Sequence, residues 1–583
     1  MLIQIDSLSD LYQQILQASY ECPLVITVLI FVPLNVDSIA AACLLQEIFK
    51  KDNIKNQIIP VRGYSDLHHN ILERAKNETL PSTIILINCG GTIDLSKFFE
   101  EPIRISPIKP IFYVFDSHRP IHFENLDSRR ENIQIVDDNS SLFDDISSSI
   151  PDASPEANPD NLIQINGKPR SHHHFSREET KIIDITDPHC VEFTTGTHYS
   201  DPASIQLYSL ATACNSTSLK LLWFSVLGLT EHFIMEHMDI SRYEVLFTAL
   251  QNEARRLNGD TELFKTAVID NENIVSPVAI KIPISADIYI NPVTDIKCVL
   301  HRHWTLLESM QSSPFISTRL RMWQNGGKDR LKLFLIKMGI TLQEANNSHI
   351  AMHSDIRDSL VTRFDDQCDL FGLTGITYPT FLLKTGFSIP LAAADVVYAV
   401  RALLSQNDSF LNGFFAVQSI GNESLLMDGI EMAKARARQV VSTGKDLMER
   451  KNSAIVGPGP FKIAYLHDAE ERKFPITSDS LEDLGLYLVQ TLNEDNSEED
   501  EKPVIVAALQ KSTSQWLVVA VGSRFEFEEV GKSRFGEYFA EAAEKSGIEI
   551  VQDSFESCVC TVPNDNMFTF IDQLSLLAWG YET

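Results

Sequence analysis

Three short apolar runs in the first 120 residues constrain the fold more than any other feature of this chain. They cover residues 24–32, 83–87 and 110–115, and their length and β-branched or aromatic content are typical of buried strands. Residues 38–50 carry apolar side chains at helical spacing, and residues 58–61 read as a further short strand. Buried strands that alternate with helices predict a parallel, doubly wound α/β sheet over residues 1–136.

Polar residues follow each of the three apolar runs. They are Asn35 and Asp37 after the first, Asn88 after the second, and Asp116, Ser117 and His118 after the third. Because parallel strands end at one edge of a sheet, we expect these side chains to converge there. Carboxylate, amide and imidazole groups are the usual ligands of Mg²⁺ or Mn²⁺. The sequence therefore predicts a polar site, and raises the question of whether that site holds metal.

Length and charge bound the class of protein. At 583 residues the chain should form roughly two to four domains. A formal net charge of −30 argues against general adhesion to nucleic acid, since a phosphate backbone would be repelled. The nine cysteines form no CxxC pair and are expected to be reduced thiols. The apolar run 24–34 is too short to span a bilayer, so no membrane anchor is expected.

Composition shifts suggest domain boundaries. Residues 131–167 contain eight acidic residues and neither Lys nor Arg, which predicts a disordered acidic linker, placed at 137–185. The α/β domain is expected to continue over 186–290 after its first part at 1–136. A helical region follows at 291–400, and strands return in a second α/β domain assigned to 401–583.

One segment is basic in this acidic chain. Residues 318–338 hold a single acidic residue, Asp329, against a set of cations that includes Arg319, Arg321, Lys328, Arg330 and Lys332. Two interpretations stay open. The segment is either an ordinary solvated helix face or an interface with an acidic partner or DNA.

The strand ends resemble the metal-binding signatures of the Asp-His-His (DHH) phosphoesterase superfamily, which includes exonucleases of the RecJ type. There the first strand ends in Asp-x-Asp, the second in Asp and the third in Asp-His-His, and these side chains hold Mn²⁺ or Mg²⁺ that activates water. In this chain the matching positions are Asn35 and Asp37, then Asn88, then Asp116, Ser117 and His118. A later family Asp falls near Glu231 and His232, after Gly228.

The altered positions weaken the predicted metal site. Asn35 and Asn88 each remove a full negative charge, and Ser117 removes an imidazole. Two dications can lie close together only where several carboxylates neutralise them. We therefore expect no metal and no catalysis, with these six positions vestigial. Asp37, Asp116 and His118 could instead form a hydrogen-bonded polar cluster, with Arg119 as a candidate charge partner.

The combination of altered ligand positions resembles that of one family in particular, the cell division control protein 45 family of eukaryotic replication factors. The resemblance covers nearly the whole chain. It is carried by Asn88-Cys89-Gly90, Asp116-Ser117-His118-Arg119-Pro120, Leu227-Gly228-Leu229-Thr230, Gly459-Pro460-Phe461 and Phe535-Gly536, together with the acidic linker. It implies an α/β fold made of a RecJ-like DHH phosphoesterase domain with a parallel sheet, a helical insertion that docks on partners, and a C-terminal DHHA1-like α/β domain.

The same resemblance implies a function. Family members are non-catalytic scaffold subunits of the replicative DNA helicase, required for initiation and elongation of replication. The implied partners are the minichromosome maintenance hexamer, the GINS complex, replication initiation and polymerase factors, and, for some members, single-stranded DNA. No cofactor and no membrane are implied, and the expected location is the nucleus. Two other functions are kept open: a metal-dependent single-strand exonuclease or phosphoesterase using Asp37, Asp116 and His118, and an autonomous sensor of single-stranded DNA.

Overall fold

The structure, a computed structural model, describes most of the chain. The described residues are 2–22, 24–127, 132–136, 196–258, 288–385, 390–405, 410–418, 423–450, 454–457, 459–493, 502–522 and 532–578, together with the backbone of four strands within 162–280. The predicted linker, 137–185, lies outside the described residues except for the paired strands Leu162–Ile165 and Lys181–Asp184. Its disorder stays a prediction.

The described strands form several sheets. They are β1 (Leu2–Ile3), β2 (Val28–Pro33), β3 (Asn56–Val61), β4 (Thr83–Ile87), β5 (Ile111–Phe115), β6 (His118–Arg119), β7 (Ile133–Val136), β8 (Leu162–Ile165), β9 (Lys181–Asp184), β10 (His198–Tyr199), β11 (Phe264–Asp270), β12 (Asn273–Ile280), β13 (Ile288–Ile296), β14 (Thr377–Thr385), β15 (Leu391–Ala392), β16 (Ile455–Val456), β17 (Lys462–Leu466), β18 (Val504–Gln510), β19 (Gln515–Val521) and β20 (Val559–Pro563).

The described helices cover the faces of the two main sheets and form a separately packed helical region. They are α1 (Leu8–Glu21), α2 (Val36–Lys51), α3 (Tyr64–Lys76), α4 (Leu95–Phe98), α5 (Glu100–Ile105), α6 (Phe123–Leu126), α7 (Ala203–Ala213), α8 (Leu219–Ile234), α9 (Ile240–Leu257), α10 (Leu306–Ser312), α11 (Pro314–Arg319), α12 (Gly327–Lys337), α13 (Leu342–Ala345), α14 (Ser354–Asp358), α15 (Leu360–Gln367), α16 (Ala393–Leu404), α17 (Phe410–Gln418), α18 (Glu423–Glu449), α19 (Ser478–Leu492), α20 (Phe535–Ser546) and α21 (Met567–Ala578).

The first sheet is parallel throughout, with strand order β1-β7-β5-β4-β2-β3. Alternate residues of β2 enter different cores. Val28 and Ile30 join a core that contains α2, α7 and α8, whereas Leu29 and Phe31 join a core beneath α3. Period-two alternation into two apolar layers is what a doubly wound sheet requires. The predicted α/β fold is therefore confirmed.

The order of the strands places a crevice at the carboxyl edge. From β2 the chain goes first to β3 on one side and then crosses to β4 on the other. The direction of winding therefore reverses between β2 and β4, and open α/β sheets carry their ligand sites at such a reversal. Strand β5 lies next to β4, so the three strand ends singled out in the sequence are adjacent.

A separately packed helical region follows β13. Its core runs from Ile296 to Ile376 and includes side chains of α10 to α15. Helix α16, which the sequence assigned to the insertion, packs instead in the core of the first domain. The predicted boundaries at 290 and 400 stay predictions, but α16 belongs by its packing to the α/β part.

The C-terminal part is a mixed sheet with strand order β16-β17-β18-β19-β20. Only β17 and β18 pair in parallel, and the other neighbours are antiparallel. Helix α19 covers one face, and α20 and α21 cover the other. No helix in the described part of the chain combines the length and apolar character needed to cross a membrane.

Candidate functional site

Helix α2 starts directly after β2 and carries the first two predicted site residues. Asn35 is its N-cap, and the Asn35 side chain accepts a hydrogen bond of 2.8 Å from the backbone N–H of Ser38. An asparagine oxygen at this position satisfies one of the unpaired N–H groups of the first turn. Asn35 is therefore used to begin the helix.

Asp37 is buried, 1% exposed, and its carboxylate is fully engaged by protein donors. Its Oδ2 accepts from the backbone N–H of Ala203 at 2.9 Å, and its Oδ1 accepts from that of Ser204 at 3.1 Å. Burial raises the pKa of Asp37, but hydrogen bonds to His232, Ser204 and Asn88 outweigh it and leave that pKa below its ordinary value. Asp37 is an ionised carboxylate that holds the start of α7.

Asn88 links the three strand ends. Its Nδ2 donates to Asp37 Oδ2 at 2.8 Å and to Ser38 Oγ at 2.9 Å, while its Oδ1 accepts from the backbone N–H of Ser117 at 3.0 Å. Asn88 has a positive φ of 45°, a conformation that asparagine adopts more readily than most residues. An amide can donate and accept at once, which is what this position demands.

Asp116 and His118 form a buried ion pair at the end of β5. His118 Nδ1 lies 2.6 Å from Asp116 Oδ1, which also accepts the His118 backbone N–H at 2.9 Å. Asp116 Oδ2 accepts the backbone N–H of Gly91 at 2.8 Å. Burial lowers the pKa of His118, but the charges of Asp116 and Glu556 raise it well above its ordinary value. Arg119, the candidate charge partner, donates from Nη1 to the carbonyl oxygens of Asp116 and His118.

Helix α8 contributes the residues that the family pattern placed only loosely. Glu231 accepts the backbone N–H groups of Val36 at 3.0 Å and of Asp37 at 2.6 Å, so it covers the N-terminus of α2. Burial raises the pKa of Glu231 to about 7, although Arg401 acts to lower it. His232 Nε2 lies 3.7 Å from Asp37 Oδ2.

A glycine in α8 permits this close packing. A Cβ added to Gly228 would lie 2.1 Å from both Asp37 Oδ1 and Ser204 Oγ. No side chain fits at that distance, so glycine is required where α8 crosses the first turn of α2. This close approach explains the glycine in the Leu-Gly-Leu-Thr motif of the sequence.

The C-terminal part closes the site. Glu556 Oε1 lies 3.1 Å from His118 Nε2, and its Oε2 accepts a short hydrogen bond from the hydroxyl of Tyr199. The Tyr199 ring stacks on His237 at 3.9 Å between centroids, and His237 Nε2 lies 3.2 Å from Glu482. A cavity of about 60 Å³ remains among these side chains, room for about two water molecules.

The residues present do not fit a metal ion. The carboxylate oxygens of Asp37 and Asp116 accept hydrogen bonds from backbone N–H groups, from the amide of Asn88 and from His118. The Asn88 amide presents hydrogens to Asp37, where a shared cation would need an oxygen. Within the described residues, no group of three or more His, Cys, Asp or Glu side chains is arranged to hold a metal.

The basic residues named from the sequence lie apart from this cluster, in the helical region. Lys328, Arg330 and Lys332 are exposed on α12. Arg319, at the end of α11, is half-buried with its guanidinium 3.9 Å from the centre of the Phe315 ring, and Arg321 is also half-buried. The structure therefore separates two features, a buried polar cluster at the strand ends and an exposed basic surface on α12.

Sequence reasoning did not find several members of the cluster. Tyr199, His237, Arg401 and Glu556 come from elements far along the chain, and no local pattern marks them. Glu231 and His232 were named from the sequence, because an acidic residue and a histidine stand together in a largely apolar helix.

The fold and the strand ends define the class of protein. A parallel doubly wound sheet with Asn-x-Asp, Asn and Asp-Ser-His at three adjacent carboxyl ends defines an α/β protein whose strand ends carry an altered form of the DHH phosphoesterase signature. The remaining question is which family within this class carries that alteration.

Comparisons with known proteins give the answer. The model of the CDC45 family matches residues 28–158, 168–411 and 405–577. The chain is 26% identical over 624 residues to the cell division control protein 45 homolog of Dictyostelium discoideum, covering 94% of this chain and 95% of that protein. It is 24% identical over 584 residues to the Homo sapiens homolog, covering 94% and 97%. The crystal structure of CDC45 from Entamoeba histolytica shares the fold, with a TM-score of 0.70, 18% identity and 99% coverage of both chains.

This chain therefore belongs to the cell division control protein 45 family, a family of DNA replication factors. The resemblance found in the sequence is confirmed.

Proposed function

We propose that this protein is a non-catalytic scaffold subunit of the replicative DNA helicase and works in the nucleus during initiation and elongation of replication. The observation that carries the non-catalytic part is the hydrogen bond of 2.8 Å from Asn88 Nδ2 to Asp37 Oδ2. A metal-dependent phosphoesterase needs an anionic oxygen there to share a cation. A hydrogen-bond donor in that place supports a structural role for the strand ends.

The proposed partners follow from family membership and from one surface of the chain. They are the minichromosome maintenance hexamer, the GINS complex, and replication initiation and polymerase factors. The cations of α12 support a protein interface, because Lys328 and Arg330 are exposed in a chain of net charge −30. An acidic surface on a partner would gain electrostatic attraction at this surface, against the repulsion expected from the net charge of the chain.

Affinity purification of the full chain from nuclear extract, followed by identification of the co-purifying subunits, tests the assembly. Recovery of hexamer and GINS subunits is the expected result. Purification of the chain alone, under salt conditions that preserve other replication complexes, would refute the scaffold role.

Charge reversal tests the basic surface within the same experiment. The variant Arg330→Glu/Lys332→Glu should reduce recovery of at least one partner. The matched control is Lys76→Glu/Lys109→Glu, which makes the same charge change at exposed positions of the first domain. Equal recovery with both variants would show that the cations of α12 are only a solvated face.

The enzymatic alternative has a direct assay. Purified protein is incubated with Mn²⁺ and labelled single-stranded DNA, and we expect no hydrolysis above that of a heat-denatured sample. Hydrolysis that disappears in Asp116→Ala would overturn the non-catalytic proposal. Salt-sensitive binding of single-stranded DNA by the isolated chain, without hydrolysis, would instead favour the sensor function.

A further inference from the structure

The loop between α20 and β20 inserts into the first domain. Its residues are Asp553, Ser554, Phe555, Glu556 and Ser557, and we call this segment the plug. It belongs by sequence to the C-terminal part, since β20 is an edge strand of the C-terminal sheet. Its contacts, however, are largely with the carboxyl edge of the first sheet.

The first end of the plug covers the start of α3. The backbone N–H of Tyr64 donates to the carbonyl of Asp553 at 2.9 Å, and that of Ser65 donates to Asp553 Oδ1 at 2.6 Å. A carboxylate at a helix N-terminus satisfies unpaired N–H groups and interacts favourably with the helix dipole. A Cβ at Gly63 would lie 2.3 Å from the Asp553 carbonyl oxygen, so the two parts meet without any gap.

The middle of the plug is apolar and buried. Phe555 is 8% exposed and packs in the core beneath the first sheet, not in either core of the C-terminal sheet. Its ring meets that of Tyr64 edge-on, with 4.9 Å between centroids. Release of the plug would return this ring to water, which opposes release. This contact anchors the plug.

The second end reaches the remnant site. Glu556 places one carboxylate oxygen 3.1 Å from His118 Nε2 and the other on the hydroxyl of Tyr199. Ser557 Oγ lies 2.9 Å from Thr197 Oγ1. The Glu556 carboxylate thus contacts the histidine of the altered Asp-Ser-His signature.

We propose that the plug is an internal ligand of the remnant site: it places the Glu556 carboxylate on His118 and holds the C-terminal part closed against the first sheet. The chain supplies its own anion, so the crevice at the strand ends is not an open binding cleft. The remnant signature therefore forms part of the interface between the first domain and the C-terminal part. This role does not depend on the helicase partners and is tested on the isolated protein.

Hydrogen exchange of the full chain measures closure directly. The amides of Tyr64 and Ser65 donate to the plug, so they report its release. In Phe555→Ala/Glu556→Ala we expect these amides to exchange about tenfold faster or more, since tenfold corresponds to only about 1.4 kcal/mol of lost closure. Amides within β5 should keep their wild-type exchange rates. Small-angle scattering should show a larger radius of gyration.

Two further variants keep the experiment decisive. The matched control, Asp565→Ala/Phe568→Ala, removes a carboxylate and an aromatic ring from exposed positions of the same part of the chain and should leave the reporter amides unchanged. The conservative Glu556→Gln keeps the shape of the plug and should give a smaller increase than the double variant. Unchanged exchange at Tyr64 and Ser65 in the plug variant, or an equal increase in the control, would overturn the proposal.

Discussion

Replacing Asn88 with aspartate distinguishes a structural cluster from a dormant metal site. The change restores the residue type that DHH phosphoesterases carry at this strand end, and it alters only one atom group. If the site were dormant, Asn88→Asp would restore a missing ligand. If the cluster is structural, the same change replaces a donor with a second anion beside Asp37, which is already buried and ionised.

The magnitude follows from the geometry. The Asn88 amide nitrogen is 2.8 Å from Asp37 Oδ2, so the new carboxylate would face a like charge at about 4 Å between charge centres. Two such charges repel by about 4 kcal/mol at an effective dielectric of about 20. For domains of this size, about 1 kcal/mol shifts the thermal midpoint by roughly 2–4 °C, so we expect a fall of roughly 10 °C.

The penalty should depend on pH. Repulsion between the carboxylate of Asp37 and the new carboxylate at position 88 raises the pKa of one of them in the folded state. The folded protein then holds more protons than the unfolded chain above the ordinary Asp pKa, so stability falls as pH rises through that window and recovers on acidification. The control Asn88→Ala removes the hydrogen bonds without adding charge, so its deficit should shrink less than that of Asn88→Asp between about pH 7 and about pH 5, because the Asn88 hydrogen bond affects the pKa of Asp37 only near the Asp range.

Thermal unfolding at about pH 7 and about pH 5, with and without millimolar Mn²⁺, compares the wild type with both variants. We expect Asn88→Asp to be the least stable at neutral pH, to recover partly at acidic pH, and to gain nothing from Mn²⁺. An Asn88→Asp midpoint equal to wild type, or one raised by Mn²⁺ above the wild-type value, would refute the structural interpretation.

Three more changes test other parts of the structure. Gly228→Ala should lower the free energy of unfolding by about 3 kcal/mol or more, because its Cβ would lie 2.1 Å from Asp37 Oδ1. A Gly-to-Ala change ordinarily stabilises a helix. A thermal midpoint at or above that of wild type would therefore contradict the close packing of α8 on α2. Arg401→Met should cost about 1–3 kcal/mol by removing a buried cation 3.0 Å from Asp483, which keeps its second partner Arg436 at 2.6 Å. Asp483→Asn should recover part of that loss, whereas additive losses in a double-mutant cycle would show no coupling. Burial lowers the pKa of His349 to about 4, so below about pH 6.5 the unfolded chain binds a proton that the folded protein does not. Acidification to about pH 5 should therefore lower the free energy of unfolding by about 1 kcal/mol, after allowance for partial exposure. His349→Asn should lose less stability on acidification than wild type.

The strands of the first sheet show what local sequence can predict. The predicted bounds of strand β4 match the observed ones, Thr83–Ile87, because polar or glycine residues stand on either side of a uniformly apolar run. Strand β2 begins at Val28 rather than at residue 24, since an apolar run carries no period that marks where pairing starts. Helices α1 and α3 were not predicted, although Leu8, Leu11 and Ile15 in α1 and Leu67 and Ile71 in α3 stand at helical spacing. Local composition therefore finds elements better than it finds their ends.

In the candidate site too, some residues could be predicted from the sequence and others could not. Asn35, Asp37, Asn88 and Asp116 could be placed together because parallel strands bring their carboxyl ends to one edge. Glu556 could not, since it lies 438 residues from His118 along the chain and no periodicity relates the two. Contacts across such separations are set by how the two α/β parts pack, which only the structure provides.

Asparagine in place of aspartate at position 88 removes a possible metal ligand, but it also adds a hydrogen-bond donor. A buried carboxylate must be compensated, because leaving its charge in an apolar interior costs far more than one hydrogen bond returns. Divalent cations would compensate Asp37 and Asp116 in a metal site. Here the compensation comes from backbone N–H groups, from the Asn88 amide and from His118, whose second nitrogen is held by Glu556. Once these donors are in place, a second carboxylate at position 88 would break the balance, so reversion at this position alone should disturb the cluster.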